Sequence, residues 1–109
     1  MDNATALRIV ESKTIDTMSA LELYDVVATL FPAILAARDD EALYKLSRRA
    51  LAQIHPDRNG AIPRSLASFA GALLNCARAR TTIAHDLLDL IVMKSLVHED
   101  SESDAEYDD

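Results

Sequence analysis

Few of the side chains in this chain that could do acid–base, metal or nucleophilic chemistry stand at working spacings. His55, His85 and His98 stand far apart, with no two histidines at i,i+4 as a helical ligand pair would need, so no metal site is expected. Asp86 and Asp89 near His85 could suggest acid–base chemistry, but on a helix they read more simply as surface polar residues. The lone Cys76 excludes an internal disulfide and any multi-cysteine zinc site, fits a reducing compartment, and reads as a small buried hydrophobe. What remains is the run His55-Pro56-Asp57-Arg58-Asn59. Proline confines the residue before it to extended conformations, so His55 must leave any preceding helix and Asp57 is held near a rigid tip. A carboxylate on such a tip can make charge-assisted hydrogen bonds to a basic groove, while neighbouring cations meet an acidic one. The plainer alternative is a helix stop, with Pro56 ending the helix and Asp57 serving a turn.

The elements that must position this loop are helical. Asp39 and Asp40 offer a side-chain cap and negative charge at the start of a helix predicted over about Glu41 to Ile54. At 100° per residue, Leu43, Leu46, Ser47, Ala50, Leu51 and Ile54 fall on one side. Lys45, Arg48, Arg49 and Gln53 fall on the other, so one face packs and the other is cationic. Pro56 stops the helix, Asn59-Gly60 signals a turn, and a further helix is expected near Pro63. That helix carries Leu66, Phe69, Leu73, Cys76 and Ala77 on its apolar stripe, with Phe69 read as core. Arg80 lands on the stripe and suggests a bend, after which Thr81 or Thr82 could cap a last helix through Ile83, Leu87, Leu88, Ile91 and Leu96.

Upstream, Ser19 followed three residues later by Glu22 has the pattern of a capping box. It opens a helix with Leu23, Val27, Leu30, Phe31 and Ile34 inward, which Pro32 bends or interrupts. Residues 3–12 could form a short helix capped by Asp2 or Asn3. The organisation expected is an extension over 1–18, a helical domain over 19–97, and an acidic tail over 98–109 with nothing to bury, hence disordered.

Composition agrees with a small all-α module. At 109 residues there is room for one modest core, and two glycines and three prolines supply too few turns for many short strands. The net charge of −7 is uneven: residues 98–109 hold seven acids and no Lys or Arg, leaving eleven acids against all eleven bases in the remainder. Within that neutral body, Lys45, Arg48, Arg49, Arg58 and Arg64 form a local positive patch against Asp57 alone. The neutral body, the acidic tail and the lack of aromatics for stacking argue against nucleic acid as a partner. No run of about 20 apolar residues and no secretory leader are seen, so no membrane association is expected, and an intracellular place, cytoplasmic or nuclear, is the expectation. Ser101 and Ser103 are each followed three residues later by an acid, a pattern that resembles acid-directed kinase sites.

Taken in order, a helix with a basic face, His55-Pro56-Asp57-Arg58-Asn59, and a second helix with Phe69 inward resemble the J-domain (DnaJ-like) co-chaperone family. The likeness spans roughly residues 20–90 and is sharpest over Lys45 to Asn59. It implies an antiparallel helical hairpin with flanking helices and a His-Pro-Asp loop at one end. It further implies that His55, Pro56 and Asp57, with Lys45, Arg48, Arg49, Arg58 and Asn59 alongside, bind a seventy-kilodalton heat-shock chaperone and speed its ATP hydrolysis. The chain would then be no enzyme itself and would need no cofactor. It departs from the family's pattern at Ser47 and Ile54, where an aromatic residue is usual, and it lacks glycine-rich linkers and Cys-x-x-Cys modules. These departures keep open a helical scaffold that retains the fold and has lost stimulation.

Overall fold

The structure is a computed structural model that describes residues 1–54 and 63–107, with side chains described through residue 97. The described residues are all helical: α1 (Asn3–Ser12), α2 (Ala20–Leu30), α3 (Asp40–Gln53), α4 (Arg64–Ala79) and α5 (Thr82–Tyr107), with 3₁₀ turns at Ile15–Thr17 and Pro32–Ala36. The loop residues His55, Pro56, Asp57, Arg58 and Asn59 lie outside the described residues, and the expectation for the acidic tail falls where side chains are not described.

Helix starts follow the capping chemistry of the sequence. Asp2 Oδ1 accepts the Thr5 N–H at 2.8 Å, Ser19 Oγ the Glu22 N–H at 3.1 Å, Asp39 Oδ1 the Ala42 N–H at 2.8 Å and Thr81 Oγ1 the Ala84 N–H at 3.2 Å. The Ser19 capping box is only half made, because the Glu22 carboxylate turns to Lys13 Nζ, 3.0 Å from each oxygen. Pro32, which can donate no amide, ends α2 at Leu30 and heads the second 3₁₀ turn. At the far end of α4, Arg80 adopts a left-handed φ of 53°. Its N–H reaches Ala77 O and the Thr81 N–H reaches Cys76 O, a Schellman closure that makes the bend expected there.

One continuous core joins all five helices. Leu23, Val26 and Val27 of α2 meet Ile34, Leu43 of α3, Leu73 of α4, and Leu87 and Ile91 of α5, all at 2% exposure or less. Each such aliphatic side chain contributes about 1.5–3 kcal/mol on burial, so packing outweighs the individual caps. The stretch before Ser19 is part of this core and no mere extension: Val10, Ile15 and Met18 are buried in the same cluster. The turn at Ile15–Thr17, which the sequence did not announce, carries Ile15 inward. Leu96 departs from its expected stripe and is 57% exposed. Ser95, half-buried, turns toward the body instead and its Oγ accepts from Arg38 at 2.5 Å, while the exposed Lys94 places its Nζ 5.2 Å from the Tyr24 ring centre.

The pairing of α3 with α4 is antiparallel. Asp40, Glu41 and Tyr44 at the start of α3 share a crevice with Ala77, Arg78 and Arg80 at the end of α4. Leu46, Ala50 and Ile54 at the other end of α3 share a groove with Leu66, in the first turn of α4. Ile54 and Pro63 thus stand at the same end of the pair.

Candidate functional site

The site foreseen from sequence divides into a face that the structure places and a loop that it does not describe. On α3, Leu43, Ser47 and Ala50 are buried, Leu46, Leu51 and Ile54 are half-buried, and Lys45, Arg48, Arg49, Ala52 and Gln53 are exposed. The 3.6-residue period alone accounts for this, since apolar side chains three and four apart must share one side. Lys45, Arg48 and Arg49 therefore form one solvent-facing cationic strip leading toward residue 55.

The strip is chemically available. Lys45 Nζ touches Glu41 Oε1 at 3.1 Å, but both side chains are about 70% exposed (68% and 71%), and such i,i+4 pairs are worth only a few tenths of a kcal/mol. A partner carboxylate could displace it readily. Arg49 borders a groove of about 270 Å³ whose apolar wall includes Leu30, Phe31, Pro32, Ile54 and Leu66. This groove joins the corner after α2 to the end of the α3/α4 pair, and it was not foreseen, because it depends on Pro32 lying against α3. A cation at the edge of an apolar floor offers both orientation and desolvation to an incoming side chain.

The other candidate chemistry is placed elsewhere. His85 Nε2 lies 3.5 Å from Asp40 Oδ1 on α3, a long-range contact that its sequence neighbours Asp86 and Asp89 did not signal. Cys76 is half-buried on α4. Phe69 is buried, 5% exposed, as read from the stripe. A larger groove of about 430 Å³ between the α1–3₁₀ corner and α4 is lined by Val10, Lys13, Ile15, Asp16, Ser65 and Phe69. Of its two acidic groups, Glu11 and Asp16, the latter already accepts from Thr14 Oγ1 at 2.5 Å, and no nucleophile–base pair is assembled among the described residues there. The Asp2 carboxyl is held below its ordinary value of 3.8, first by the Thr5 side chain and then by the Thr5 N–H, which marks a helix cap and no catalytic group.

Ser47 is the unusual member of the α3 inner face. Its side chain is 1% exposed and its Oγ meets no hydrogen-bond partner. Among the described residues, no group of three or more His, Cys, Asp or Glu side chains converges as a metal ion would require, and no helix is long and apolar enough to cross a membrane. Comparison with protein-family models, curated proteins and solved structures finds no match to this chain.

Proposed function

We propose that the chain is a divergent J-domain co-chaperone. It binds a seventy-kilodalton heat-shock chaperone through His55-Pro56-Asp57, with Lys45, Arg48, Arg49, Arg58 and Asn59 in electrostatic support, and stimulates ATP hydrolysis by residues that belong to the chaperone. The observation that carries this reading is the solvent-facing strip Lys45, Arg48 and Arg49 on a helix that runs into His55-Pro56-Asp57 and packs antiparallel on the next helix. A cationic strip raises the encounter rate with an acidic surface, and the proline-held carboxylate supplies a second contact of opposite sign, so the two together fix one orientation. An exposed cationic face is common on amphipathic helices, and this one gains its meaning from standing directly before His55-Pro56-Asp57.

The deciding experiment is single-turnover ATP hydrolysis by a purified seventy-kilodalton chaperone with this protein, beside His55→Gln and Asp57→Asn variants shown to be folded by circular dichroism. Acceleration by the wild type and none by either variant is expected. Binding without acceleration would point to the scaffold that has lost stimulation, and absence of binding would overturn the proposal. Arg48→Glu with Arg49→Glu should weaken binding by about tenfold or more, with an effect that shrinks as salt rises.

A further inference from the structure

The last described turns of α5 are built inside out. Leu87 and Ile91 face the core at 2% exposure or less. One turn further on, half-buried Ser95 accepts from Arg38, while Lys94, itself exposed, reaches back over the Tyr24 ring. Arg38 is itself anchored, its Nη1 donating to Leu35 O and Ala37 O at 2.9 Å. These contacts fix the rotation of α5, so Met93, Leu96 and Val97 are turned to solvent at 57%, 57% and 64% exposure. They stand at i, i+3 and i+4, the spacing with which a helix presents anchors to a groove. Single exposed apolar residues need no explanation, but three on one turn, turned outward where Ser95 holds the inner side, form a patch.

Charge says what covers it. On the same outer side, one to two turns earlier, Asp86 and Asp89 are exposed. Immediately after Val97 come His98 and a segment with seven acids and no Lys or Arg. The apolar patch is thus bracketed by negative charge along the helix in both directions. A second copy of the chain laid antiparallel would bring its acidic segment onto Asp86 and Asp89, and a parallel copy would set the two acidic segments side by side. Phosphate backbones and anionic lipid surfaces are repelled for the same reason.

We infer that the outer face of α5, centred on Met93, Leu96 and Val97, docks a separate protein that presents an apolar groove bordered by lysine or arginine at both ends. This second surface is distinct from the α3 strip and stands whether or not the co-chaperone reading holds.

The test uses the full chain carrying the photo-crosslinking residue p-benzoylphenylalanine at Leu96, with the same residue at exposed Asn75 of α4 as control, irradiated in the cells that make the protein. The product specific to Leu96 is identified, purified and titrated against the wild type, Leu96→Gln/Val97→Gln, and a form with Asp86, Asp89 and the acids of 99–109 changed to amides. Binding that falls by about tenfold or more in the apolar double variant, and that weakens with salt for the wild type but not for the amidated form, is expected. Because Leu96 and Val97 are exposed, the apolar double variant should keep wild-type circular dichroism. The inference is overturned by a Leu96 product that is a second copy of the chain or the seventy-kilodalton chaperone, by the absence of any product above the Asn75 control, by affinity unaffected in the apolar variant, or by equal binding to neutral phosphatidylcholine vesicles.

Discussion

The rings of Phe31 and Phe69 lie stacked, their centres 6.1 Å apart and their planes inclined by 8°. Phe31 closes α2 and lines the Arg49 groove, and Phe69 lies one turn into α4, so the stack ties the Pro32 corner to the α3/α4 pair. Replacing Phe69 by Ala should cost about 3–5 kcal/mol, because the cavity removes both ring burial and the stack. Urea unfolding followed by circular dichroism checks this. A loss below about 1 kcal/mol would mean that the ring is not held as described.

Ser47 should be better replaced than kept. Its buried hydroxyl has no partner, and a helix interior prefers Ala to Ser, so Ser47→Ala is expected to raise stability by about 1 kcal/mol. Since the side chain faces inward, the same variant should leave the exposed Lys45, Arg48 and Arg49 strip in place. A fall in the urea midpoint would reveal a hydrogen bond or packing role that the geometry does not contain.

Arg80 occupies a left-handed position that costs an L-residue about 1–2 kcal/mol, whereas glycine takes it without strain and returns part of the gain as unfolded-state entropy. Arg80→Gly should therefore stabilise the chain by about 0.5 kcal/mol, and Arg80→Val should destabilise it, since branching at Cβ makes that conformation harder still. Thermal unfolding of the pair gives opposite shifts if the Schellman closure of α4 is real.

The Asp2 cap has a defined dependence on pH. A carboxyl whose folded value is depressed adds stability above its ordinary value of 3.8, and this is lost as pH falls through the lower folded value. The protection of the Thr5 amide, its exchange rate set against the intrinsic rate at each pH, should therefore fall as the solution is acidified below that ordinary value, because the carboxylate that accepts its N–H is lost. Asp2→Asn keeps a capping oxygen and should show protection without this pH dependence.

Much of this architecture was legible from local rules. Asp39 and Ser19 marked helix starts because a short polar side chain can satisfy orphan amides. The α3 period separated Ser47 and Leu43 from Lys45 and Arg48 because geometry leaves no other arrangement. What escaped was set by tertiary contact. Ala70 and Leu74 are buried although they flank the expected stripe, because α4 is covered on more than one side. Leu96 faces out because Arg38, far away in sequence, holds Ser95 toward the body. The same limit applies to the site: the cationic strip could be read from spacing, whereas the groove beside Arg49 needed Pro32 and Leu66 to be brought together by the fold.

Burial of α1 against α4 has a consequence for synthesis. Val10 and Ile15 line one groove with Phe69, so α1, made well before α4, waits for its cover until most of the domain has been synthesised. An expression fragment trimmed to begin at Ser19 would strip that cover permanently, leaving a bare hydrophobic flank on α4 and a product prone to clump.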